Sequence, residues 1–100
     1  MREFDIYLPT TLQDGAPIDP ELIREIKSTL VNAFGGYTHF THRNEGAWRI
    51  GNVTFRDEIT VIRVLDDGRA QFDMVDFKRQ LERTLEQSSI LIVARTVHAI

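Results

Sequence analysis

The hydrophobic period of this chain alternates between two and about 3.6 residues, and the order of that alternation leaves few folds open. Phe4, Ile6 and Leu8 alternate with Glu3, Asp5 and Tyr7, which is a half-buried strand that Pro9 ends. Thr10 to Ile18 is a turn-rich connector with Asp14-Gly15 and Pro17. Asp19-Pro20-Glu21 opens a helix with a capping carboxylate, a proline at the first position and an acid in the first turn. Leu22, Ile23, Ile26, Leu30, Ala33 and Phe34 then recur at helical spacing, and Gly35-Gly36 supplies the stop. Tyr37 to about Arg43 reads as a strand, Asn44-Glu45-Gly46 as its turn. Trp48 to Asn52 either pairs back locally or forms an irregular loop. Phe55 to Leu65 is the next strand, and Asp66-Asp67-Gly68 a turn. Met74, Phe77, Leu81 and Leu85 mark a second helix, capped by Asp73 or Asp76 and broken by Ser88-Ser89. Ile90 to Val97 is the last strand.

The order β-α-β-β-α-β in 100 residues predicts an α+β protein: one ferredoxin-like domain over residues 1–100. The right-handed crossover rule sets its antiparallel four-stranded sheet in spatial order 4-1-3-2, with both helices on one face. Strand parity assigns Phe4, Ile6, Leu8, Ile62, Val64, Ile90, Ile92 and Ala94 to the helix side. The other side receives Asp5, Tyr7, Ile59, Val61, Arg63, Leu91, Val93, Arg95 and Val97. Apolar groups of that number do not all face water in a stable monomer, so a homo-oligomer, a dimer first, is the expected assembly. On the same side Asp5 lies between Arg63 and Arg95. That trio is expected to be a structural ion network, with an arginine clamp for a small anion as its functional alternative.

Composition excludes several classes. The chain has no Cys, which removes thiol catalysis, disulfide staples and zinc-thiolate sites and fits a reducing cytoplasm. Net charge is −3 and the basic residues are scattered, so generic nucleic-acid binding is not expected. Met1-Arg2-Glu3 runs straight into a strand with no apolar signal core, and no apolar run reaches membrane-span length, so no membrane partner is expected.

The densest concentration of glycine, aromatic and titratable groups lies between Phe34 and Glu58. His39-Phe40-Thr41 has the H-x-T form of the two-histidine phosphodiesterases, but that chemistry needs a second unit, and His98 is followed by Ala99-Ile100. His39 and His42 are three apart on a strand and point to opposite faces, so no metal site is assigned. Gly35-Gly36 closes a helix at its C-terminus, the wrong end for a phosphate. What remains is a recognition hairpin. Tyr37, His39, Thr41, Trp48, Arg49 and Arg56 are the candidate ligand-binding residues: Trp48 to stack, the two arginines to meet negative charge, His39 and Thr41 for polar contacts. No catalytic residue and no cofactor is assigned.

The run Phe34-Gly35-Gly36-Tyr37-Thr38, then Gly46-Ala47-Trp48, then Asp57-Glu58, with Gln87-Ser88-Ser89-Ile90 before the last strand, resembles an F-G-G-x-T and G-x-W pattern of small bacterial and phage proteins. That resemblance brings no assigned activity with it. The layout is also distantly similar to PII-like regulators, through Gly36-Tyr37-Thr38, and to dimeric α+β-barrel proteins. The first likeness implies trimers with nucleotides between subunits, the second a cavity between sheet and helices. The reading is a cytosolic homo-oligomer that binds a small anionic or aromatic ligand, or a protein partner, through the Tyr37–Arg56 hairpin. Its alternatives are a small enzyme with an intersubunit cavity using His39 or Glu58 as base, and a structural protein-interaction module.

Overall fold

The computed structural model describes residues 1–100. Its elements are β1 (Arg2–Pro9), α1 (Pro20–Phe34), β2 (Thr38–Ile50), β3 (Val53–Asp66), α2 (Met74–Thr84) and β4 (Ile92–Thr96). They form an α+β protein with one four-stranded antiparallel sheet. The sheet runs β2-β3-β1-β4, which is β4-β1-β3-β2 read from its other edge. No helix is long and apolar enough to cross a membrane.

Local chemistry sets the helix ends. The Asp19 carboxylate accepts from the Glu21 amide at 2.9 Å, satisfying one of the free donors of the first turn of α1. Gly35 ends that helix at φ 86°, a left-handed conformation that costs a glycine little, and its amide donates to the Val31 carbonyl at 2.8 Å. Asp73 is the residue that caps α2, accepting from the Asp76 amide at 3.0 Å. This helix stops before Ser88-Ser89: Leu85 caps it and Glu86 turns left-handed at φ 52°. The last strand is correspondingly shorter than the alternation alone predicts, beginning at Ile92.

Eleven buried side chains make one core: Phe4, Ile6 and Leu8 of β1, Ile62 and Val64 of β3, Ile90 before β4, and Ile26, Leu30, Phe77, Leu81 and Leu85 from the helical segments. Both helices therefore cover the same face of the sheet. Full burial of one such side chain contributes about 1.5–3 kcal/mol, which makes this face the main stabilising surface of the fold.

The largest departure from the sequence expectation is the central hairpin. Asn44-Glu45-Gly46 is not a turn. These residues pair with Ile59, Glu58 and Asp57, and β2 continues to Ile50. The turn is Gly51-Asn52, flanked by the Ile50–Val53 pair, with Gly51 at φ 59° providing the left-handed step that a tight hairpin needs. Between Phe40, opposite Val61, and Asn44, opposite Ile59, the ladder skips: Thr41, His42 and Arg43 face a single residue, Thr60.

This pairing divides β3 in two. From Ile59 to Asp66 it is flanked by β1, from Pro9↔Ile59 to Arg2↔Asp66. From Val53 to Glu58 its only neighbour is β2. Residues 44–58 thus form a two-stranded arm beyond the body of the sheet. The long dimension of the molecule is 42 Å against 29 and 25 Å.

Candidate functional site

Side chains directly opposite each other in an antiparallel pair share a face. On the arm, one face holds Gly46, Trp48 and Ile50 of β2 with Asp57, Phe55 and Val53 of β3. The other holds Glu45, Ala47 and Arg49 with Glu58, Arg56 and Thr54. The arm is therefore amphipathic, and its apolar side is bare. Trp48 is 41% exposed, Ile50 60%, Val53 56% and Phe55 43%. Trp48 and Phe55 stack with centroids 4.8 Å apart and planes 23° from parallel. The single charge on this side is Asp57. Its carboxylate lies across Gly46, where an added Cβ would stand 2.3 Å from Asp57 Oδ1. The mid-strand glycine leaves the space that this carboxylate occupies; a larger residue would displace the carboxylate rather than the strand.

Two ion pairs cross the polar side of the arm and its root. Arg56 meets Glu45 at 3.2 Å and Arg43 meets Glu58 at 3.2 Å. Thr10 Oγ1 donates to the same Glu58 carboxylate at 3.0 Å, tying the root of the arm to the connector after β1. Such exposed pairs each contribute less than about 1 kcal/mol, so they organise the surface rather than hold the fold.

The apolar side of the arm is continuous with the helix-free face of the sheet, because odd-numbered residues of β3 point the same way along its whole length. Here Arg63 donates to Asp5 from Nε at 2.8 Å and from Nη2 at 3.1 Å, and Arg95 donates from Nη1 at 2.9 Å. Glu3, which the sequence reading left out of this network, sits 3.3 Å from Arg63 and also pairs with Arg95. Asp5 is only 4% exposed. The Arg63 hydrogen bonds hold its carboxyl below the usual carboxylate range, against the opposing effect of burial, and Arg95 reinforces them. The same contacts raise both guanidinium groups. The Phe40 ring lies over Arg63, 5.0 Å from centroid to guanidinium carbon.

The six expected ligand-binding residues do not share one surface. Tyr37 precedes β2, with Lys27 Nζ 5.5 Å from its ring centroid. His39 pairs with Ile62 on the helix side, and its Nε2 is 3.0 Å from Thr60 Oγ1. Nδ1 of His39 is buried without a hydrogen-bond partner. Burial first, and then the Lys27 charge, push this imidazole below its ordinary value. Thr41 is exposed in the irregular segment. Trp48 stands on the apolar side of the arm, Arg49 and Arg56 on the opposite side. The convergence expected of these residues required a turn at Gly46. With the turn at Gly51-Asn52 the parity separates the indole from the arginines.

Sequence reading missed Ile50, Val53 and Phe55 as surface residues. The signal for them was present in Gly51-Asn52, a two-residue hairpin pair between apolar neighbours. A concavity of about 350 Å³ lies elsewhere, between β4 and the start of α2, lined by Phe4, Phe72, Met74, Lys78 and Ile92 among others. It is an open groove and contains none of the arm residues. No group of three or more His, Asp or Glu side chains is arranged to hold a metal ion. No family model matches this chain, and no curated protein or solved structure is similar to it at a significant level.

Proposed function

We propose that this chain is a cytosolic recognition module whose working surface is the apolar side of the β2–β3 arm, and that it acts by docking against another polypeptide rather than by chemistry. The observation that carries this reading is the coincidence of four exposed large apolar side chains on one side of a ribbon whose other side carries polar and charged groups with a single alanine. An isolated two-stranded hairpin is marginal in water. Trp48, Ile50, Val53 and Phe55 together present about 400 Å² of apolar surface, the scale at which patches on small proteins commonly serve binding. They contribute nothing to the buried core. Element order and sheet connection support classing the body as ferredoxin-like, with the arm as an elaboration of its central hairpin.

The separation of Trp48 from Arg49 and Arg56 favours a protein contact over a small ligand held by stacking and charge together. The enzyme alternative gains no support from its two candidate bases. Nε2 of His39 is occupied by Thr60 on the helix side, and Glu58 is held by Arg43 and Thr10.

The test is whether the arm residues serve the fold or something outside it. A Trp48→Ser, Phe55→Ser double variant, followed by hydrogen exchange in dilute protein, is expected to leave the amides of β1 and α1 as protected as in the wild type. Loss of protection throughout the body would show that the arm is structural and would remove this reading.

A further inference from the structure

The surface that includes the arm carries two halves of a complementary pair at its two ends. At the arm end are Trp48, Ile50, Val53 and Phe55 with one acid, Asp57. At the body end are Phe40, Val61, Val93 and Leu65, the last of these 47% exposed, around the Arg63–Arg95 network. That network is formally neutral, but it does not present a neutral surface. Its acids are covered, with Glu3 and Asp5 side chains 13% and 6% exposed, while Arg63 and Arg95 are 36% and 43% exposed. A partner meets guanidinium groups. Asp57 lies six residues from Arg63 along β3, or about 20 Å.

We infer that the polypeptide docked on this face is a second copy of the chain, related by a two-fold axis that runs across the strands, so that the arm of each subunit lies over the body of the other. The inference rests on the arm being a docking surface. Three observations select this arrangement. A two-fold interface must be complementary to itself, and this face is: it has an acidic apolar end and a cationic apolar end. An axis running along the strands would instead stack arm on arm, setting Asp57 against its own copy and the arginines against theirs, and like charges brought together in a desolvated contact are costly. The crosswise axis brings Asp57 of each subunit toward Arg63 and Arg95 of the other, and Phe55 toward Leu65. The area is sufficient as well. Trp48, Ile50, Val53, Phe55 and Phe40 alone offer about 500 Å² per subunit, more than half of the roughly 800 Å² per partner of a stable interface. An edge-to-edge pairing of β2 strands would leave all of it in water.

The absence of Cys from the chain makes the geometry directly testable. Phe55→Cys and Leu65→Cys single variants are mixed and treated with a short bis-maleimide. The expected product is a covalent dimer containing one of each, formed at least tenfold more efficiently than self-linked dimer of either variant alone. Sedimentation equilibrium provides the second readout. Wild type is expected to dimerise, and Asp57→Arg, a change at an exposed arm position checked by circular dichroism for an intact fold, to weaken the dimer at least tenfold. Self-linking of Phe55→Cys as efficient as the mixed product would overturn the arm-over-body arrangement. So would a dimer indifferent to Asp57→Arg. A wild type that stays monomeric up to millimolar concentration would overturn the second copy as occupant, while leaving the arm free to serve a different protein.

Discussion

The two ends of β3 obey different physics although they are one continuous strand. Between Ile59 and Asp66 the strand has a neighbour on each edge, and Ile62 and Val64 are buried beneath the helices. Between Val53 and Glu58 it has one neighbour and no covered face. The first end is held by burial of apolar surface, the second by little more than its own ladder and its exposed ion pairs. The comparison teaches that similar sequence patterns, aliphatic and aromatic residues alternating with polar ones, do opposite work depending on what lies over them. Ile62 drives folding. Phe55, seven residues earlier and just as apolar, is left for use.

The contrast is broken most directly by equal truncations at the two ends. Ile62→Ala is expected to cost about 2–5 kcal/mol, the usual penalty for emptying a packed core position. Phe55→Ala, in protein too dilute to associate, is expected to cost about 1 kcal/mol or less, because little burial is lost. Urea unfolding measures both. Equal costs would erase the distinction between body and arm.

The next largest effect belongs to the charged network on the body. Asp5→Ala leaves Arg63 and Arg95 with Glu3 as their only neighbouring acid and is expected to cost about 1–3 kcal/mol. That is less than for a fully buried pair, because both guanidinium groups retain contact with water. Its stabilisation has a definite pH dependence. The folded-state Asp5 carboxyl lies below its ordinary value of 3.8, so its contribution is complete above that pH and is lost as the pH falls toward the folded-state value. Acid titration of unfolding should therefore be flatter in the variant. An unchanged acid limb would assign the low-pH loss to other carboxylates.

The smallest effect sharpens the boundary between the two regions, where His39 sits. Its imidazole is held below the ordinary value of 6.5 by burial, so the unfolded chain binds the proton first as pH falls. Stability should decline from about pH 6.5 downward and level off once the folded form also protonates. His39→Gln should remove that decline and leave the arm amides unaffected. Persistence of the slope in the variant would remove His39 as its source.

Most of the body was legible in the sequence, and for a simple reason. Its elements bury one face each, so the pattern of Phe4, Ile6 and Leu8, of Ile62 and Val64, and of the helical stripes is written by the core itself. Asp19, Gly35 and Asp73 marked helix ends because backbone groups there require particular side chains. The arm obeyed no core, and its pattern therefore carried no such instruction. Asn44-Glu45-Gly46 has the composition of a turn, yet Gly46 stands in mid-strand beside the Asp57 carboxylate. Gly51-Asn52 was the stronger hairpin signal, overshadowed by the richer chemistry around Trp48. Misplacing the turn by six residues was enough to bring Trp48, Arg49 and Arg56 together on paper when parity keeps them apart. The ion trio of Asp5, Arg63 and Arg95 was found from parity alone, whereas Glu3 escaped because it lies one pleat further along β1.

The segment in which Thr41, His42 and Arg43 stand against Thr60 alone carries a counting rule. It inserts two residues more on β2 than on β3, an even surplus, so the inward and outward alternation resumes beyond it without reversal. Lengthening or shortening that segment by two residues preserves which way the indole faces. Changing it by one leaves Val53 and Phe55 of β3 facing as before and sets β2 one residue out of phase with them, so that Trp48 and Ile50 move to the opposite side of the ribbon. The region is therefore open to drift in composition and closed to odd changes in length. A single-residue deletion there would silence the arm without touching any residue on its surface.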